Sequence, residues 1–492
     1  MPLPSSSPHS AVQPMGRIPP CDLLSEAKAA EIEAEAETIL AEIGINFTDH
    51  PEALARWQAV GAQVQGERVY LPRGLARKLC QTAPARFVQH AANPARDVEI
   101  GGARPVTAPV YGPPFVQDPV AGRRDARFGD FQLLMRLAQA CDSVTHAGGT
   151  LCEPTDLPLE TRHLDMLLAH ATLSDKPFMG ASTDPERARD SIAFAKILFG
   201  YEGTELPVLL SALINIGSPL SFDATMSRCL ELYAQAGQAT VISAYAIMGA
   251  TAPVTVEGAL AQALAEVMAG IAYAQLIRSG APVIFGLYAS ALDLRTGASI
   301  FASPEVTQLT IAAGQLARRL GVPYRAGGCL TGAFQSDAHA GYEAAGSLWA
   351  SQLAGVDFML HGCGWLESGL ATSAEKFVLD ADQLSAMLRQ YGGIAAPSGA
   401  ALAALREVGP GGHYLGAQET LAEGQARLWK SEVVEDRPFD AWDHAGRPDT
   451  VWHAHQRVSA LLQTYQPPAL APERRAALEA FVARRKAEIQ RG

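Results

Sequence analysis

"LAQALAEVMAGIAYAQLIRSGAPVIFGLYAS", residues 260–290, holds one complete helix-to-strand crossover. Leu260, Leu264, Val267 and Ile271 step by four, three and four, which puts them on one face of a helix. "RSGAP" (278–282) ends that helix, and "VIFG" (283–286) starts a strand without polar alternation. Such a strand is buried on both faces, as in a parallel sheet covered by helices.

The same rhythm extends outward from this crossover. Apolar strand-like runs alternate with Ala/Leu-rich helical stretches from about residue 130: "VTHAGGTL", "KPFMGAS", "PVLLSALINIGSPL", "TVISAYAIMGA", "APVIFGLYAS", "PYRAGGCL" and "VDFMLHGCG". A further helix begins near Gly341, carries Leu348 and Leu353, and stops at Gly355, a suitable left-handed cap. A doubly wound sheet and an eight-stranded barrel both fit this spacing. The barrel is preferred, because nearly every strand ends in glycine or in a polar or aromatic cluster, where a barrel carries its site. The expected fold class is α/β, a TIM (β/α)8 barrel over 131–410. An N-terminal α+β segment (21–130) opens with a charged helix at 23–43, a C-terminal helical attachment occupies 411–492, and 1–20 read as a disordered tail. The eighth strand is not legible.

The chain has 492 residues, 48% hydrophobic and 18% charged, with a net charge of −12. That balance argues against nucleic acid as a partner, since phosphate binding needs surplus Lys and Arg. The seven cysteines are scattered, odd in number and without a CxxC pair, which reads as reduced thiols in the cytoplasm. The opening "MPLPSSSPHSAVQP" has no apolar h-region, and no uninterrupted apolar run spans a bilayer, so no membrane role is expected. A homo-oligomer is expected.

Phosphate-loop, nucleophile-elbow and HExxH patterns are missing from the sequence. His361 and Cys363 lie two apart, so on an extended strand they project to one face. With Cys329 or His339 they would begin a zinc site, the basis of an alternative reading as a zinc-dependent transferase or hydrolase. Asp337 and His339 are likewise two apart and suit a hydrogen-bonded pair.

Aromatic residues are more suggestive. Tyr111 and Phe115 sit in a Pro/Gly-rich loop, while Tyr245, Tyr288, Tyr324 and Trp365 fall within or just after strands. Any one alone reads as core packing. Collected at strand ends, they are what a cage for a quaternary ammonium needs, each face contributing about 0.5–2 kcal/mol. Arg325 then suits a substrate carboxylate, and Glu153, Glu305 or Glu367 would supply negative charge.

At these strand ends the text resembles a known family. The stretches "PVYGPPFVQD" (109–118), "GGTLCEPTDLP" (148–158), "NIGSPL" (215–220), "LRTGASIFASPE" (294–305), "DAHAGYE" (337–343), "HGCGWLESGL" (361–370), "EKFVLD" (375–380) and "GPGGHYLG" (409–416) run in order. They resemble the trimethylamine methyltransferase family, in particular its branch without pyrrolysine that acts on quaternary amines such as betaines. Members with pyrrolysine place it in or near the stretch matching "CLTGAFQSDAHAGYE" (329–343), where only ordinary residues stand here. The resemblance implies a TIM barrel presenting one methyl group of a methylated amine to Co(I) cobalamin on a separate corrinoid protein. The catalytic candidates are then His339, His361 and Glu367, and the substrate-binding candidates are Tyr111, Phe115, Tyr245, Tyr288, Arg325, Asp337 and Trp365. No resident metal is expected. A non-catalytic protein that binds methylated amines is the remaining alternative.

Overall fold

The computed structural model describes residues 18–119, 121–203, 205–394 and 399–491, so most of the tail expected at 1–20 lies outside the described residues. Seven parallel strands form the central sheet: β1 (Val106–Thr107), β2 (Phe178–Met179), β3 (Leu210–Asn215), β4 (Ala239–Met248), β5 (Val283–Leu292), β6 (Tyr324–Ala326) and β7 (Phe358–Met359). Their spatial order is β1-β7-β6-β5-β4-β3-β2, so the last strand pairs with the first. The order never reverses as it does in a doubly wound sheet. The sheet curls instead.

Its two edges, β1 and β2, flank residues 144–148. Thr145 and His146 each donate a backbone N–H to the Thr107 carbonyl at 3.0 Å. On the other side, Ala147 N donates to Pro177 O and Met179 N to Gly148 O, both at 2.8 Å. "VTHAGGTL", expected as a strand, therefore bonds to both edges without forming a regular ladder. The parallel strand left unplaced by the sequence is β1, which lies ahead of residue 131 inside "PVTAPV".

Helices follow the strands in turn: α1 (Phe128–Ala140), α2 (Arg162–Leu173), α3 (Pro185–Phe199), α4 (Ala224–Gln235), α5 (Val256–Ile277), α6 (Pro304–Leu320), α7 (Ala338–Ala354) and α8 (Ala374–Gln390). Side-chain caps start several of them, such as Asp223 accepting from Met226 N at 2.8 Å, which satisfies a backbone donor the helix leaves free. Gly355 ends α7 at φ +71°, as expected. α5 is long and apolar enough to cross a membrane, yet 89% of its most apolar window is buried here. It lies between the sheet and an N-terminal helix, Glu26–Thr38, which leaves it no polar face to keep.

The hairpin Phe87–Gln89/Val98–Ile100 closes the N-terminal end of the curled sheet. Val98 and Ile100 pack there with Val106, Met179, Leu213, Val241, Ile284 and Phe358, the inward residues of six strands. Two C-terminal helices, α9 (Thr450–Thr464) and α10 (Pro472–Ile489), pack outside. Arg485 to Asp190 (2.6 Å) and Lys486 to Asp165 (2.5 Å) pin α10 to α3 and α2.

Candidate active site

Above the apolar layer, the same inward face carries a different chemistry. β5 points Ile284, Gly286, Tyr288 and Ser290 the same way, two residues apart. β4 runs parallel to it and places Tyr245 opposite Tyr288. Their rings stack at 4.7 Å between centroids, inclined by 14°. Tyr288 is buried, whereas Tyr245 is 41% exposed and forms the outer plate of the stack. The Tyr288 ring also meets Phe301 at 6.0 Å, Trp365 at 5.9 Å and His361 at 6.4 Å.

His361 and Trp365 reach this cluster from the turn after β7. His361 has φ +66°, so the chain is not extended there. This corrects the expectation that His361 and Cys363 share a face. The imidazole packs on the indole at 4.4 Å, while the Cys363 thiol is buried beside Asp380 and Lys376. Burial raises the Cys329 and Cys363 thiols far above their usual range, away from the thiolate that zinc binds. Among the described residues no three His, Cys, Asp or Glu side chains group as metal ligands.

Arg325, on β6, is the buried cation of the site at 1% exposure. Its Nη1 donates to the Leu287 carbonyl at 2.9 Å, and its Nε meets no acceptor among the described residues. Burial lowers it to about 10, which leaves it charged at neutral pH. Burial, helped by Arg325, holds His361 well below its usual value, so the imidazole is neutral. His361 Nδ1, Trp365 Nε1 and Ser290 Oγ are further buried polar atoms without a partner among the described residues. Buried polar atoms are ordinarily bonded, so four orphans around one tyrosine ring single it out as the candidate place for a polar guest.

The other candidates stand apart. Phe115 belongs to a three-stranded sheet of Phe115–Asp118, Gly122–Asp125 and Ala371–Thr372. The Arg123 guanidinium already covers its ring at 3.6 Å and donates to Glu367 at 2.8 Å. Asp337 caps α7 by accepting from Ala340 N at 3.0 Å. His339 faces Glu343 at 3.1 Å, one helical turn on, and not Asp337. Tyr111 packs against the inner apolar layer beside Met179. Ser290 and Phe301 were not singled out from the sequence. Ser290 was findable, because it shares the strand face of Tyr288.

Comparison with known proteins follows the same line. The family profile described as trimethylamine methyltransferase (MTTB) matches residues 4–490. A glycine betaine methyltransferase from Desulfitobacterium hafniense is 40% identical over 96% of this chain and 99% of its own length. An L-carnitine:corrinoid methyltransferase and a proline betaine:corrinoid methyltransferase, both from Eubacterium limosum, are 27% and 28% identical. They cover 87% and 84% of this chain, and 90% and 86% of their own lengths. With a profile match across nearly its whole length, this chain belongs to the trimethylamine methyltransferase family.

Proposed function

We propose that this chain moves a methyl group from a quaternary ammonium carboxylate of the glycine betaine class to a reduced corrinoid held by a partner protein. The observation that carries the substrate class is Arg325, a buried cation whose Nε has no acceptor among the described residues. An uncompensated buried charge is costly, and a carboxylate would neutralise it in bidentate fashion. With the proton on Nδ1, the His361 imidazole would add a second donor, and Trp365 Nε1 a third.

The stacked Tyr245 and Tyr288 rings offer an outer π face to the ammonium end. Anchored by its carboxylate, the substrate then holds one N–CH3 bond toward the open end of the strands. The reduced corrinoid supplies the nucleophile that takes this methyl group. The departing tertiary amine is neutral and needs no proton, which suits a pocket whose imidazole stays uncharged. This chain orients the methyl group and strips water from the cation. On this reading Phe115, Glu367, Asp337 and His339 belong to the rim met by the partner.

Residues 144–148 support a further structural reading. Bonded to both β1 and β2, they act as the eighth stave of a closed (β/α)8 barrel, with the site at its C-terminal end. Seven cysteines free of disulfides fit a reducing compartment such as the cytoplasm.

The test mixes the protein with a corrinoid protein under strong reductant and offers glycine betaine, carnitine, proline betaine, choline and trimethylamine. The expected result is dimethylglycine from glycine betaine, with choline and trimethylamine untouched. Equal turnover of choline would remove the role of Arg325. No turnover of any member would remove the reading.

A further inference from the structure

"EKFVLD" (375–380) lies on α8, outside the pocket, yet it holds a buried ion pair. Lys376 and Asp380 are one helical turn apart and each about 1% exposed. Lys376 Nζ lies 2.5 Å and 2.6 Å from the two carboxylate oxygens of Asp380. The pair also reaches two loops of the site. Asp380 Oδ2 accepts the Gly364 N–H at 2.9 Å, and Lys376 Nζ approaches the Cys329 carbonyl at 3.5 Å. Cys329 N in turn donates to His361 O at 3.1 Å.

Gly364 sits just before Trp365 at φ +87°, and a side chain there would press on Thr372, Phe377 and Val110. Its N–H is therefore fixed inside the protein, and Asp380 is the acceptor it meets. A buried ion pair is seldom more stabilising than apolar residues of equal volume, because both charges lose their water. Burial pushes Asp380 up to about 6 against the pull of Lys376, which shows that cost at work. What an apolar pair would lack is a directed acceptor at Gly364.

We propose that Asp380, held in place by Lys376, is a positioning residue for the amine site. Its carboxylate fixes the Gly364 N–H, and through it the turn that presents His361 and Trp365. The inference rests on the assignment of those two residues to the pocket.

Double variants of the full chain separate this role from simple stability. Lys376→Met/Asp380→Asn removes both charges but keeps an acceptor for Gly364. Lys376→Met/Asp380→Leu removes the acceptor too, and Lys376→Met/Asp380→Ala replaces it should the leucine fail to pack. Crystal structures are expected to show the Trp365 indole unmoved in the asparagine variant and displaced in the leucine or alanine variant. Calorimetric titration with glycine betaine is expected to give a Kd within about threefold of wild type for the former. For the latter the expected rise is about tenfold or more. An indole in the same place in all variants would overturn the proposal whether or not glycine betaine is the ligand. Failure of the wild-type protein to bind glycine betaine, with the indole displaced as expected, would overturn only the substrate reading.

Discussion

Tyr245 and Tyr288 occupy paired positions on adjacent parallel strands, and their rings stack at 4.7 Å, the spacing of the strands themselves. The stack inherits its geometry from the backbone ladder, so the outer ring can be removed while the strand pairing that places the inner one stays. Tyr245→Ala is expected to weaken glycine betaine binding by about 5- to 30-fold, corresponding to a cation–π contribution of about 1–2 kcal/mol. Tyr245→Phe should bind nearly as wild type. Titration calorimetry reads both, and equal losses in the two variants would show that the hydroxyl, not the ring face, matters.

On the proposed function, Arg325 sets the charge preference of the pocket. Arg325→Met is expected to raise the Kd for glycine betaine by about 30-fold or more, the loss of a charge-assisted pairing worth about 2–3 kcal/mol. Tetramethylammonium, which has no carboxylate, should bind the variant at least as well as it binds wild type. Comparing the two ligands by calorimetry decides the matter, and parallel losses would count against a carboxylate subsite at Arg325.

Gly369 has φ +93°, and a Cβ there would overlap the far edge of the Trp365 indole. Gly369→Ala therefore combines backbone strain of about 1 kcal/mol or more with displacement of the ring. The expected outcome is a lower thermal midpoint together with glycine betaine binding weakened about tenfold. A variant with wild-type affinity would place the indole outside the pocket.

His146 is fully buried, accepts the Gly148 N–H on Nδ1 at 2.9 Å, and is lowered to about 3 by burial. Its folded value lies below the ordinary 6.5, so the unfolded chain binds the extra proton and stability falls as pH drops from about 6.5 toward 3. His146→Asn keeps an acceptor for Gly148 but removes the titration. Between pH 7 and pH 5, wild type should lose about 2 kcal/mol more than this variant in urea unfolding, at about 1.4 kcal/mol per pH unit below 6.5. Identical pH responses would mean that the imidazole is not held neutral.

The architecture was largely legible because crossovers write themselves as period. α5 and β5 are readable residue by residue, since burial on both faces leaves mostly apolar text. β1 was not, because two residues amid prolines carry no period at all. That Tyr245, Tyr288 and Trp365 come together is legible from their place at strand ends. The shared face assumed for His361 and Cys363 failed because a left-handed φ at a histidine leaves no mark in the sequence. Asp337 and His339 were read at strand spacing, but the aspartate starts a helix, which turns the relevant neighbour into Glu343. Phe115, in a Pro/Gly-rich stretch, reads as one of the cage aromatics. The hairpin that brings Arg123 back over it is set by turn geometry that residue type alone did not reveal.

β5 does not stop at the sheet but folds back as Ser299–Ile300, with Ala291 opposite Ile300, and this delivers Phe301 onto Tyr288. On the proposed reading, two neighbouring residues of the amine site, Phe301 and Tyr288, are thus carried by one ribbon. Room for a bulkier N-substituent would come from a smaller residue at 301. Loosening the hairpin would not provide it, because slipping by one residue would turn Phe301 to the other face of the ribbon.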